Sequence, residues 1–92
     1  MTNCVLLNDK DNVVTTIAPI GKGESIVSEG PPSVRVPAAQ IIPEYHKAAI
    51  VAIAKGAFIY KYGEIIGKAL YDIAPGAHVH THNLVSESDY RG

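Results

Sequence analysis

The sequence predicts an all-β fold, mainly strand with short helical turns. Three observations carry that expectation. Short runs rich in Val, Ile and Tyr are separated by Gly and Pro at close intervals, the punctuation of short strands and tight turns. The segment at residues 53–63 recurs at residues 73–83, an offset of 20 residues. Finally, His78-Val79-His80-Thr81-His82 alternates with a period of two, which on a strand points all three imidazoles to one face.

The elements follow in order. Cys4-Val5-Leu6-Leu7 reads as a first short strand, ended by the turn cluster Asn8-Asp9-Lys10-Asp11-Asn12. Residues 13–17 form the next apolar run, with Pro19, Gly21 and Gly23 behind it; Asp11 or Asn12 is alternatively placed to cap a helical turn. Ser25-Ile26-Val27 and Val34-Arg35-Val36 flank Glu29-Gly30-Pro31-Pro32, the spacing of a hairpin whose loop is stiffened by proline. Residues 38–45 read as irregular, interrupted by Pro37 and Pro43.

In the second half, Ile53-Ala54-Lys55-Gly56-Ala57-Phe58-Ile59-Tyr60 aligns with Ile73-Ala74-Pro75-Gly76-Ala77-His78-Val79-His80. A weaker third copy starts at Ile17-Ala18-Pro19. Each copy reads as strand, Ala-x-Gly turn and strand, with glycine accepting positive φ in the turn. The alignment sets Phe58, Tyr60 and Tyr62 against His78, His80 and His82, so one copy uses aromatics where the other uses imidazoles. Between the copies, Tyr62-Gly63-Glu64 reads as a turn, and Gly67 marks a bulge or a close backbone approach.

At 92 residues the chain is one domain, with a modest core and a strong prior for a partner or a homo-oligomer. A net charge of -1 with mixed signs shows neither a nucleic-acid footprint nor an acidic tail. The single Cys4 excludes an internal disulfide and a multi-cysteine zinc site. The longest apolar stretch, residues 48–54, is far below the roughly 20 residues of a membrane span, and the N-terminus does not read as a signal peptide. A cytoplasmic location without nucleic-acid or membrane partners is expected.

Two constellations carry chemistry. For His78, His80 and His82 three readings stand: ligands to a divalent metal, a surface recognising substrate or a partner subunit, and a solvated strand face. Pro43-Glu44-Tyr45-His46-Lys47 offers a titratable donor beside a point charge, suited to an anionic substrate or simply to a solvated loop. Neither a Gly-x-Ser-x-Gly elbow nor a phosphate loop occurs.

Taken together, His46-Lys47, Ala52-Ile53-Ala54-Lys55-Gly56, Lys61-Tyr62-Gly63-Glu64-Ile65-Ile66-Gly67-Lys68-Ala69 and Asp72-Ile73-Ala74-Pro75-Gly76-Ala77-His78-Val79-His80-Thr81-His82-Asn83-Leu84 resemble the small N-terminal domain of the altronate and galactarate dehydratase family. The same module is the small subunit of the related sulfolactate sulfo-lyase. The resemblance implies a SAF-type β-clip over residues 1–84, with residues 85–92 as a polar tail or linker. It implies elimination of water, or of sulfite, from a sugar-acid substrate, with most of the catalytic machinery on a large dehydratase subunit or domain and iron(II) as the divalent metal of the complete enzyme. No cofactor is assigned with certainty to this chain alone. On that resemblance His46 and Lys47 are the catalytic candidates. His78, His80, His82 and Asn83 are the substrate-binding candidates, and the spacing of His78, His80 and His82 makes those three the metal-ligand candidates. The isolated chain is expected to be inactive. Two positions depart from the family's usual pattern, Tyr45 in place of a glycine and Ala52 in place of an acidic residue.

Overall fold

The computed structural model describes residues 1–86. It contains nine strands, and no helix occurs among the described residues; nothing there is a helix long and apolar enough to cross a membrane. The all-β expectation holds. Asp11 and Asn12 begin no helical turn: Asp11 accepts a hydrogen bond from the Gly63 amide (2.7 Å). The Asn12 side chain donates to Phe58 O (3.0 Å) and accepts from Tyr60 N (2.8 Å).

A four-stranded antiparallel sheet is the spine: β1 (Cys4–Val5), β2 (Val13–Thr16), β5 (Lys47–Ala49) and β8 (His78–Val79), in the order β1-β2-β5-β8. Its period-two alternation divides the interior. Val14 and Ala48, paired across β2 and β5, face one core with Cys4, Leu6, Ile20, Ile26 and Ile42. Val13 and Ala49, also paired, face a second core with Ile53, Ile59, Ala69, Ile73 and Val79. The sheet is thus a wall between two small cores, which explains how so short a chain buries residues such as Val13, Val14 and Val79 completely.

The proline-flanked segment is the expected hairpin, β3 (Ser25–Ser28) with β4 (Val34–Pro37). A second hairpin joins β6 (Phe58–Lys61) to β7 (Glu64–Ala69). Its two central residues, Tyr62 and Gly63, both have positive φ (56° and 78°), the signature of a type I′ turn. The register slips between Ile59 and Tyr60. At Gly67 the backbone meets the Val85 carbonyl so closely that a Cβ would collide with it, so the close approach is realised at Gly67, while the bulge falls on its neighbour Ile66. Strand β9 (Leu84–Ser86) pairs with β7 and carries regular structure past residue 84. The remainder of the expected tail, residues 87–92, lies outside the described residues.

The internal repeat has four members. In the first, Ala74 O accepts from Ala77 N (3.1 Å) around Gly76 (φ 84°). Equivalent turns occur at Ala54–Ala57 around Gly56 (φ 85°), Gly21–Glu24 around Gly23 (φ 87°), and Pro43–His46 around Tyr45 (φ 65°). Positive φ at the third position, with none recorded at the second, makes these type II turns. Each turn docks on one small buried residue through two backbone bonds of 2.7–2.9 Å, to Ala49, Ala69, Ala38 and Thr16 respectively. The isoleucines that precede the turns bridge in pairs, Ile20 with Ile42 and Ile53 with Ile73. The third copy therefore starts at Ile20 rather than Ile17. The fourth is masked in the sequence because tyrosine stands where its counterparts have glycine.

A left-handed tyrosine costs about 1–2 kcal/mol, partly offset by the freedom that glycine adds to the unfolded chain. Tyr45→Gly is expected to stabilise the chain by about 0.5–1 kcal/mol, read as a rise of several degrees in the midpoint of thermal unfolding.

Candidate functional site

The Pro43–His46 turn delivers His46 to the start of β5. Thr16, fully buried in β2, fixes this turn: its amide donates to His46 O (2.9 Å), and its hydroxyl donates to Pro43 O (2.7 Å). On the neighbouring strand the Ala74–Ala77 turn delivers His78. The β5–β8 ladder pairs Lys47 with Val79 and Ala48 with His78. Continued by one residue, that register sets His46 opposite His80, with His78 diagonal to it on the same face. Diagonal and directly opposite neighbours on one face are within reach of ring side chains.

The rings meet as the register dictates. His46 Nδ1 and His78 Nε2 share a hydrogen bond of 2.9 Å. The His46 and His80 rings stack with centroids 4.4 Å apart and planes 18° apart. His46–His78 and His78–His80 centroid distances are 5.1 and 5.6 Å. One ring nitrogen from each of His46, His78 and His80 lies within 4.8 Å of the others.

His82 is not part of this set. Strand β8 ends at Val79, and a turn spans residues 80–83, in which His80 O accepts from Leu84 N (2.9 Å). The single-face alternation expected for three histidines therefore fails after His80. His82 is exposed, its ring tilted 42° to His78 at 5.3 Å. His46, on a different strand and 32 residues from His78, completes the trio in its place.

Asn83 is buried, and its amide bonds both ends of this loop: it donates to His78 O (2.9 Å) and accepts from His80 N (2.9 Å). Its action in the site is to hold the two histidines at their spacing. Gln40, absent from the sequence-level candidates, accepts from His78 N (2.9 Å). No local motif announces it, because it reaches the site only through the docking of Ala39 N on Gly76 O (2.8 Å).

Lys47 follows His46 and pairs with Val79, so alternation puts it on the other face of the sheet. Half-buried there, its ammonium is held below the ordinary lysine range, first by desolvation and then by the charge of Lys61. Its field still reaches the cluster. Both His78 and His80 lie below the ordinary histidine range, first through desolvation and then through His46, with His82, Lys47 and, for His78, His80 adding to the effect. His78 and His80 are therefore biased toward neutral imidazoles, able to accept a proton or donate a lone pair. Cys4, by contrast, is buried against Val27 O with its thiol pushed up to about 11 by desolvation, which makes it a core residue without nucleophilic use.

The sequence matches, over residues 2–87, the family described as the altronate/galactarate dehydratase SAF domain. The chain belongs to this family. It is 42% identical over 73 residues to the altronate dehydratase of Escherichia coli (strain K12), and 35% identical over 83 residues to that of Bacillus subtilis (strain 168). These matches cover 79% and 90% of the chain but only 14% and 16% of the two enzymes. Subunit alpha of the (2R)-sulfolactate sulfo-lyase of Paracoccus pantotrophus is 47% identical over 49 residues, which is 53% of the chain and 73% of that subunit. The SAF β-clip expected from the sequence is the family shown, and its four type II corners are what shape the clip.

Proposed function

We propose that the chain is the small module of a cytoplasmic sugar-acid lyase, presenting the His46–His78–His80 cluster to a substrate held mainly by a larger dehydratase subunit or domain. The observation that carries this reading is the convergence of three imidazoles from two strands, in a family whose members include altronate dehydratases and a sulfo-lyase subunit. Dehydrating a hydroxy acid requires a base to take the proton next to the carboxylate and an acid to help the hydroxyl leave. An imidazole serves as the base when neutral and as the acid once protonated, and both forms are accessible near neutral pH. The charge of Lys47, which reaches His78 and His80 from the other face of the sheet, adds to the attraction for a carboxylate. A divalent metal such as iron(II), when bound in the complete enzyme, supplies Lewis acidity at the leaving hydroxyl. Asn83, Gln40 and Thr16 keep the imidazoles in place.

A second reading has support from the sulfo-lyase match: the module assembles a large subunit and makes no contact with substrate. Exposed Phe58, Tyr62 and Tyr71 suit such an interface. The test mixes the purified chain with a large dehydratase subunit and follows co-elution and turnover of altronate. The expected result is a stable complex, turnover only when both parts are present, and none from the chain alone. Turnover by the large subunit alone at the rate of the complex would remove the catalytic reading. Failure to co-elute would remove both readings.

A further inference from the structure

We propose that this chain itself holds a divalent transition-metal ion, ligated by His46, His78 and His80 and not by the His78–His80–His82 alternation. The inference needs only the geometry of the cluster and stands apart from the lyase assignment. Three nitrogens bound to one tetrahedral ion at about 2.0–2.1 Å lie about 3.3 Å apart. The His46–His78 nitrogens already sit at 2.9 Å, and no ligand atom of the trio is more than 4.8 Å from another. An ion therefore requires one pair to open by a few tenths of an ångström and the widest pair to close by at most about 1.5 Å, with the stacked rings, whose planes lie 12–29° apart, turning so that their lone pairs converge.

The backbone beneath the rings has little such freedom, and this pre-organises the site. His46 is pinned through its carbonyl to Thr16, His78 through both its amide and carbonyl to Gln40 and Asn83, and His80 through its amide to Asn83. All three residues are partly exposed, so the ion leaves part of its coordination sphere open toward solvent and substrate.

The chemistry selects the class of ion. Among the described residues the cluster contains no carboxylate and no thiolate. Three imidazoles suit iron(II), cobalt(II) or zinc, and disfavour magnesium and calcium, which take oxygen ligands. Three protein ligands with an open position is also the arrangement of catalytic rather than structural sites.

Isothermal titration of the 92-residue chain with cobalt(II) chloride, paired with the visible spectrum of the bound ion, tests the site. One ion per chain is expected, with magnesium chloride giving no heat. Removing a ligand costs at least what removing a supporting group does, about tenfold or more in affinity. His46→Ala and His80→Ala should each show that loss, while His82→Ala keeps the parent affinity within about threefold. Circular dichroism confirms that each variant is folded, and His46→Asn serves if His46→Ala is not. Absence of cobalt binding by the folded parent chain overturns the proposal. So does a loss in His82→Ala equal to that in His46→Ala.

Discussion

Gly76→Ala is expected to destabilise the chain by about 3–5 kcal/mol, whereas Gly56→Ala at the equivalent corner costs only about 1–2 kcal/mol. Both glycines have nearly the same backbone angle (φ 84° and 85°), so the left-handed penalty is common to the two. The difference lies in what a Cβ meets. At Gly56 nothing lies within 4 Å. At Gly76 the added carbon runs into the Pro37 carbonyl and the Ala39 amide, neither of which is the end of a flexible side chain. Relief requires breaking the Ala39 N–Gly76 O bond (2.8 Å), which also brings Gln40 to His78. Denaturant melts of the two variants check the comparison, and equal losses would show that the Pro37–Ala39 segment does not press on this corner. If Gly76→Ala fails to fold, the contrast with a folded Gly56→Ala stands as the expected outcome.

The second large effect is on turnover. In the complex with a large dehydratase subunit, His46→Ala and His80→Ala are each expected to lower kcat by about 10²–10⁴, a loss as large as that of a positioned acid or base, whether the imidazole meets the substrate itself or through an ion that it ligates. His82→Ala is expected to lower it by less than about tenfold. The ordering follows from position: His46 and His80 stack face to face at 4.4 Å inside the cluster, whereas His82 is exposed at its margin. Steady-state kinetics on the three variants separates this arrangement from a linear strand face, for which His82 would match His80.

Local chemistry was legible in the sequence wherever one residue dictates the backbone. Pro31 and Pro32 announced the β3–β4 loop, Gly63 the tight hairpin and Gly67 the crowded strand. Gly56 and Gly76 announced two of the four corners. The corner at Tyr45 was illegible because its conformation is imposed by Thr16 from another strand and not by its own side chain. The same limit governs the site. Period-two alternation placed His78 and His80 on one face correctly, but nothing local indicates that β8 stops at Val79. That His46 belongs with them depends on the β5–β8 register, a long-range pairing that leaves no mark in either segment. Asn83, expected to touch substrate, bonds the backbone of its own loop, a role its amide fills because the turn at residues 80–83 brings it back to His78 and His80.

On the proposed reading His46, His78 and His80 act as one substrate-facing unit. Side-chain imidazole NMR of the 92-residue chain, titrated with altronate, tests it most directly. The expected result is that the resonances of His46, His78 and His80 shift together along one saturable curve while those of His82 move little. A titration in which His82 alone responds, or in which no imidazole responds up to saturating altronate with a large dehydratase subunit also present, would contradict it.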